Sequence, residues 1–481
     1  MKREDIQAAY EAGPEAVVAL VEQLMAAHQG LVAELTTRIE GLEARLKQDS
    51  HNSHKPPSSD GSAKLPRRRS RHKRSGKKSG GQVGHPGVTL AQSERPDAVV
   101  VHRASICPLC QGSLASAASL GGERRQVVDV PPLRPRVTEH QGLQLCCPEC
   151  QTITTGQFPS DVTQPVQYGA GVKALAVYLQ EYQQLPFGRT QEFFYDVFKL
   201  PLSEGTLAKV REKCASRLVA VETAIKQALQ QAPVVNFDET GLRVAHQTHS
   251  MHVAGTRDLT YYAVHAKRGQ IALNAIGILP VFSGTAVHDA LHAYFPYACA
   301  HSLCNAHLLR DLTAASEMTR QCWPQQMMAL LLDIKAAVER TRAAGQMQLT
   351  PRRRTGFLTR YDHLIRQGFR SNPPLCARPR GSGRQREGPR RNLLLRLKNH
   401  AAAVLAYMHD FQVPFDNNQA ERDLRMVRVR QKISGGFRSW RGAEIFCTIR
   451  GYLSTMRKQG QNVLAAINSV FAGNPQMPRL A

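Results

Sequence analysis

The chain has 481 residues, 42% of them hydrophobic and 21% charged, which suits a folded protein with at least one sizeable core and excludes a wholly disordered one. Its formal net charge is +25 and its pI about 10.0, an excess that repels itself in a compact state unless an anionic partner supplies counter-charge. Nucleic acid is the partner this favours, because every phosphate neutralised by Lys or Arg also releases condensed counterions.

Residues 1–12 lack the apolar core of a signal peptide. The longest apolar stretch, 271–282, is interrupted by Asn274, Gly277 and Pro280 and is too short for a bilayer. The expectation is a soluble cytoplasmic, nucleoid-associated protein without a membrane partner. In that reducing compartment, eleven cysteines point to metal binding or burial rather than disulfides.

Segment 1–48 opens the chain, and within it Leu24, Leu31, Leu35, Leu42 and Leu46 recur at fours and sevens. This predicts an amphipathic helix that either packs on its own protein or pairs copies as a short coiled coil. A basic linker, 49–100, follows. Its Arg67, Arg68, Arg69, Arg71, Lys73, Arg74, Lys77 and Lys78 read as a solvated linker or as an arm gripping the DNA backbone without sequence preference.

In segment 101–160, Cys107-Pro108-Leu109-Cys110 and Cys147-Pro148-Glu149-Cys150 are paired knuckles. Each brings two thiolates from one tight turn to a tetrahedral Zn²⁺, and two pairs close a structural site. Cys146 is an alternative ligand to Cys147, and strands are expected at 127–130 and 137–145, as in a zinc ribbon. Segment 161–230 reads as helices at 171–183 and 190–198, a turn at Pro201, and a third helix capped by Ser203. The last two resemble a helix-turn-helix, a pattern many helical hairpins share.

Segment 231–460 carries the acids. Strands at 234–240, 250–255 and 259–265 form a meander, and further strands at 284–289 and 298–304 lead into a helix from Asn305. That order is ribonuclease H-like, and it sets Asp238 beside Asp289. A third acid, Glu421, sits on a helix capped by Asp416 or Asn417, with Arg425, Arg428 and Lys432 on its face. Three carboxylates suit hard, oxygen-seeking Mg²⁺, and two such ions support in-line displacement at a phosphodiester. Glu239 competes with Asp238, but strand neighbours point to opposite faces, so one of the two serves.

Helices at 323–343, 356–366 and 392–408 make the interval before Glu421 an all-α insertion spanning about 315–412. It contains a basic loop at 378–391, and segment 461–481 ends the chain. His307 is a candidate to contact DNA at the scissile phosphate or shuttle a proton, against a packed helix histidine. Trp440 packs in the core or stacks on a base. The fold class expected is multidomain α+β. A ribonuclease H-like core with a helical insertion is preceded by an N-terminal helix, a zinc ribbon-like domain and a helix-turn-helix region.

Several motifs occur in one order: Lys55-Pro56-Pro57-Ser58-Ser59-Asp60, Gly80-Gly81-Gln82-Val83-Gly84-His85-Pro86-Gly87, the paired CxxC, and Asp238-Glu239-Thr240. Cys304-Asn305-Ala306-His307-Leu308-Leu309-Arg310, the Asp416 to Arg425 stretch and Ser434-Gly435-Gly436-Phe437 follow. Together they resemble the insertion sequence 66 family of bacterial transposases over nearly the whole chain. The resemblance implies a DDE-type transposase with Mg²⁺ or Mn²⁺ at Asp238, Asp289 and Glu421, a structural Zn²⁺, and accessory proteins encoded beside it. The activity expected is binding of terminal inverted repeats, hydrolysis at the element ends and joining of the 3′ ends to target DNA, by a homodimer or higher oligomer. One position departs from the family pattern: Ala290 follows the second acid where glycine is usual. The rival expectations are a catalytically inactive zinc-containing DNA-binding regulator and a nuclease of the same fold that cuts without joining.

Overall fold

The structure, a computed structural model, describes residues 3–46, 90–130, 133–319, 321–374 and 388–480. The basic arm with Arg67, Arg68 and Arg69, the motifs at 55–60 and 80–87, and most of the loop at 378–391 lie outside the described residues. The chain divides into two units, Met1–Ala63 with Gln157–Ala481, and Lys64–Gly156.

In the smaller unit, β1 (Gln144–Cys146) pairs antiparallel with β2 (Ile153–Thr155), Leu145 lying opposite Thr154. The strand expected at 127–130 is not formed, and that at 137–145 is reduced to its last residues. Val127, Val130 and Val137 stand in solvent, and β-branched residues favour strands only where a neighbouring surface packs on them.

The larger unit begins with α1 (Arg3–Glu11) and α2 (Pro14–Leu46), which starts on proline, a residue whose missing N–H costs nothing at the first helical position. Leu24, Leu31 and Leu35 are exposed along it. After the cysteine-rich segment come α3 (Ala170–Val177), prolonged by a π-helical turn at Tyr178–Tyr182, then α4 (Phe187–Phe198), α5 (Glu204–Arg217) and α6 (Val219–Gln231). Ser203 Oγ accepts the Thr206 N–H at 3.1 Å and caps α5 as its sequence predicts.

The sheet follows: β3 (Val234–Val244), β4 (Gln247–Gly255), β5 (Thr260–His265), β6 (Thr285–His288) and β7 (Ala300–Leu303), in the order β5-β4-β3-β6-β7. The first three strands form an antiparallel meander, and β6 and β7 continue parallel to β3. Between β5 and β6 lies α7 (Gln270–Ile276). Odd positions of β3, Val235 and Phe237, enter a core with Leu273, Phe282 and Tyr294. Even positions, Leu242 and Val244, pack with Leu424 and Val427. The first of these cores also takes Ala174 and Val177 of α3, Val210 of α5, Ile449 of α15 (Trp440–Lys458) and Ile467 of α16 (Val463–Phe471). Segments 161–230 and 461–481 thus share one core with the sheet.

Beyond β7, the helices α8 (Asn305–Met318), α9 (Trp323–Ala343) and α10 (Pro351–Ser371) build a separate core around Trp323, Leu330 and Ile334. The helix expected at 392–408 is broken into α11 (Pro389–Asn399), α12 (Ala401–Val404) and α13 (Ala406–His409), the breaks falling at His400 and Leu405. Next comes α14 (Asn418–Ser434), which ends on Gly435 at φ +70°. Gly436 then lies so close to β3 that a Cβ would stand 2.3 Å from Arg243 O, which is why the Gly-Gly pair is needed here. Among the described residues no helix is long and apolar enough to cross a membrane.

Candidate functional site at the strand ends

Side chains alternate along β3, so one residue fixes the face of all the others. Asn236 Nδ2 donates to Asn417 Oδ1 at 2.8 Å, and Asn417 Nδ2 donates to Phe237 O at 2.7 Å, which ties the start of α14 to the even face. Asp238 is the next even residue and shares that face. Glu239 faces the other way, where its Oε1 accepts from Arg268 at 2.7 and 3.0 Å and its Oε2 accepts from Tyr294 Oη at 2.5 Å. Glu239 is thus engaged in a buried network with Arg268 and Tyr294, and Asp238 lies on the opposite face of the strand.

Register supplies the second acid. Val235 lies opposite Ala286 and Asn236 opposite Val287, so two residues further on Asp238 falls opposite Asp289. One strand over, His288 lies opposite Leu303, which brings Cys304 level with Asp289. Carried past its last paired residues, that register sets Asp238, within β3, side by side with Asp289 and Cys304, at about 4.8 Å per strand. Burial pushes the Asp238 carboxyl up to about 8, and the charges of Glu239 and then Asp289 add to it, while the Glu239 amide and Arg428 oppose the rise. Asp289 Oδ1 accepts the Leu291 N–H at 3.1 Å. The turn between them places Ala290 at φ +71°, a conformation in which an L side chain is crowded and glycine is not. The turn geometry that glycine would favour is kept, with alanine in it.

Glu421 lies in the first turn of α14, with a carboxylate oxygen within 4.8 Å of ligand atoms of Cys304 and His307 just beyond β7. Its Oε1 is 3.4 Å from His307 Nε2 and accepts no hydrogen bond. Among the described residues, the one set of three acid, histidine or cysteine groups with ligand atoms all within 4.8 Å of one another is Cys304, His307 and Glu421. Asp238, Asp289 and Glu421 are not gathered to that distance. Arg425, Arg428 and Lys432 are exposed along α14, and Arg428 is near enough to stabilise the Asp238 charge. Trp440, more than a third exposed, bonds Glu444 through Nε1 at 2.8 Å and meets His249 edge-on.

Asp416 and Asn417 divide the work at the head of α14. Asp416 Oδ1 accepts the Asn418 N–H at 3.1 Å, while Asn417, fully buried, holds the helix to β3. Asn417 N–H also points at Cys304 Sγ, 3.1 Å away. Sequence reasoning gave Cys304 no role of its own. The signal was the CxxH spacing of Cys304 and His307, which sets two ligand types on one helical turn.

In the smaller unit the two knuckles repeat each other. Gln111 N–H bonds Cys107 O at 3.0 Å and Gln151 N–H bonds Cys147 O at 2.9 Å, and Gln111 and Gln151 both adopt positive φ, 57° and 54°. Backbone N–H groups of Cys110 and Leu109 lower the Cys107 thiol, and the Thr152 hydroxyl leads the groups that bring Cys150 to about 7. Thiols lowered in this way lose their protons to a metal more readily. Cys146 Sγ lies 3.4 Å from Gln151 O, outside its knuckle's thiol pair. The four thiols are not drawn within 4.8 Å of one another.

Fold and site together define a mixed α/β protein with Asp238 and Asp289 close together on the central sheet, Arg428 of α14 near Asp238, and a cysteine-rich unit. Residues 165–445, more than half of the chain, match the transposase IS66 family, and residues 104–151 match the zinc-finger binding domain of transposase IS66. The chain belongs to the IS66 family of transposases. Membership implies an enzyme that cleaves and joins DNA, and the zinc-finger match supports a structural zinc. Residues 6–91 match a further family, of unknown function (DUF6444). The search of characterised proteins gave no match.

Proposed function

We propose that the chain moves its own insertion element as a DDE-type transposase, with Asp238, Asp289 and Glu421 as its acids on a ribonuclease H-like core. The observation that carries this reading is the closeness of Asp289 to Asp238, whose carboxyl is lifted to about 8 by burial and the charges of Glu239 and Asp289, on strands whose parallel register runs toward the two acids. A strand order of β5-β4-β3-β6-β7 with a single antiparallel meander supports the fold. Buried like charges of this kind fit a divalent cation, which offsets their repulsion, and Glu421 Oε1, which accepts no hydrogen bond and has His307 as its ion-pair neighbour, is the third ligand atom in this reading. Mg²⁺ or Mn²⁺, when bound, supplies Lewis acidity to the attacking and leaving oxygens of an in-line displacement.

The chain's own residues position the DNA. Arg425, Arg428 and Lys432 line the helix over the acids and face phosphate oxygens, while Arg67, Arg68 and Arg69 add a sequence-independent grip. His307, beside Glu421, orients that carboxylate and is in place to pass a proton to it. The capped α4–α5 hairpin is the candidate helix-turn-helix for the terminal inverted repeats. Cys107, Cys110, Cys147 and Cys150 hold the structural Zn²⁺. The exposed leucines of α2 pair copies in the complex that brings two element ends together, acting at the nucleoid with accessory proteins of the same element.

The test uses purified chain, DNA carrying the element ends, and Mg²⁺. Asp238→Asn abolishes both cleavage and joining while leaving DNA binding intact; normal turnover in that variant removes the assignment. Cleavage without joining in the wild type would make the protein a nuclease.

A further inference from the structure

The end of β7 carries donor chemistry that a magnesium site does not use. Cys304, the residue before α8, is buried, His307 stands on the first turn of that helix, and Glu421 reaches down from α14. Their ligand atoms lie within 4.8 Å of one another. Four features separate this cluster from ordinary core packing. The Asn417 N–H is directed at Cys304 Sγ at 3.1 Å and opposes the burial that pushes this thiol up to about 11, a rise a bound cation would offset. The carboxylate atom facing the cluster, Glu421 Oε1, is buried and accepts no hydrogen bond. The three donors come from two elements, β7–α8 and α14, and Asn417 locks those elements together through Asn236 and Phe237. Cys304 follows Leu303, which pairs with His288, the residue before Asp289, so the cluster neighbours Asp289 without including it.

We propose that Cys304, His307 and Glu421 form a second metal site, one that takes a thiolate-seeking divalent cation of the zinc class rather than magnesium. Thiolate and imidazole select borderline-soft ions, and three protein ligands leave one tetrahedral position for water. Binding replaces the Cys304 S–H proton with the metal and releases that proton to solvent. A filled site fixes Glu421 over the end of β7 and withholds it from Asp238 and Asp289; this consequence alone rests on the catalytic reading, whereas the site rests on its own geometry.

The full-length chain is dialysed to equilibrium against buffered micromolar free Zn²⁺ in millimolar Mg²⁺, and zinc per chain is counted by elemental analysis. Cys304→Ser and His307→Asn are each expected to bind one zinc fewer than the wild type, with unchanged far-ultraviolet circular dichroism. Either variant, folded and holding the wild-type number, overturns the proposal. Cadmium-113 NMR of the wild type needs no variant: a resonance typical of a single sulfur ligand is expected beside that of a four-sulfur site, and its absence also overturns the proposal. Neither readout depends on DNA cleavage, so failure here is distinct from failure of the catalytic assignment.

Discussion

Asp238→Asn is expected to stabilise the protein, by an amount that depends on pH. In the folded chain burial, Glu239 and Asp289 lift the Asp238 carboxyl to about 8, whereas an aspartate in an unfolded chain titrates near about 4. Between those values the folded state holds a proton that the unfolded state has lost. The stability contributed by this one group is therefore complete below about pH 4 and is lost as pH rises toward about 8. One proton gives a slope of about 1.4 kcal/mol per pH unit, hence on the order of 4–5 kcal/mol across the interval. Water reaching the partly exposed side chain trims that to a few kcal/mol. The asparagine variant has no such proton. Urea unfolding of both proteins with chelator present, at pH about 5, 6, 7 and 8, should show the variant gaining on the wild type at each step and levelling off above about 8. Added Mg²⁺ should then stabilise the wild type, by about 1.4 kcal/mol at ten times its Kd, and the variant far less. A gap independent of pH, or a variant less stable than the wild type at about pH 8, refutes the reasoning.

Ala290→Gly relieves an alanine held at φ +71° and should raise stability by roughly 1 kcal/mol, read as a higher Tm in scanning calorimetry. Glu181→Gln removes the carboxylate that pairs with buried Arg211; a guanidinium left without its counter-charge costs about 3–5 kcal/mol, visible as a large drop in the urea midpoint. His252 has the opposite sign to Asp238. Burial first, then His265 and Arg268, depress its ring to about 4, against a backbone contact at Lys267 that favours the charge. The stability this neutral ring retains is complete above about pH 6.5 and is lost as pH falls toward about 4. His252→Leu should flatten that acid limb in unfolding curves, and an unchanged limb would remove His252 as its source.

Local patterns were legible because local physics decides them. The CxxC spacing, the Ser203 cap and the meander with its turn near Asp258 each depend on neighbours a few residues away, and each stands where the sequence put it. Helix 392–408 was read as one piece because its apolar period runs on through His400 and Leu405, where the backbone leaves the helical region. The strands at 127–130 and 137–143 failed for the reverse reason: their composition favours strand, but no surface covers them. The pairing of Glu181 with Arg211 was out of reach, since it joins a π-helical turn to a different helix thirty residues on.

The acid site shows where such reading stops. Asp238 and Asp289 follow from strand register, which alternation and order almost dictate. The position of Glu421 follows from where α14 lands, and three bonds from Asn417, to Asn236, Phe237 and Cys304, decide that across more than a hundred residues. Electrostatics favours the same placement. A third carboxylate set directly beside Asp238 would add to the repulsion that already lifts its titration, whereas the imidazole of His307 at 3.4 Å offers Glu421 a neighbour that can take a positive charge. Type and spacing single out three candidate acids, but the bonds of Asn417 to Asn236, Phe237 and Cys304 hold the start of α14, and with it Glu421, near the residues that follow β7.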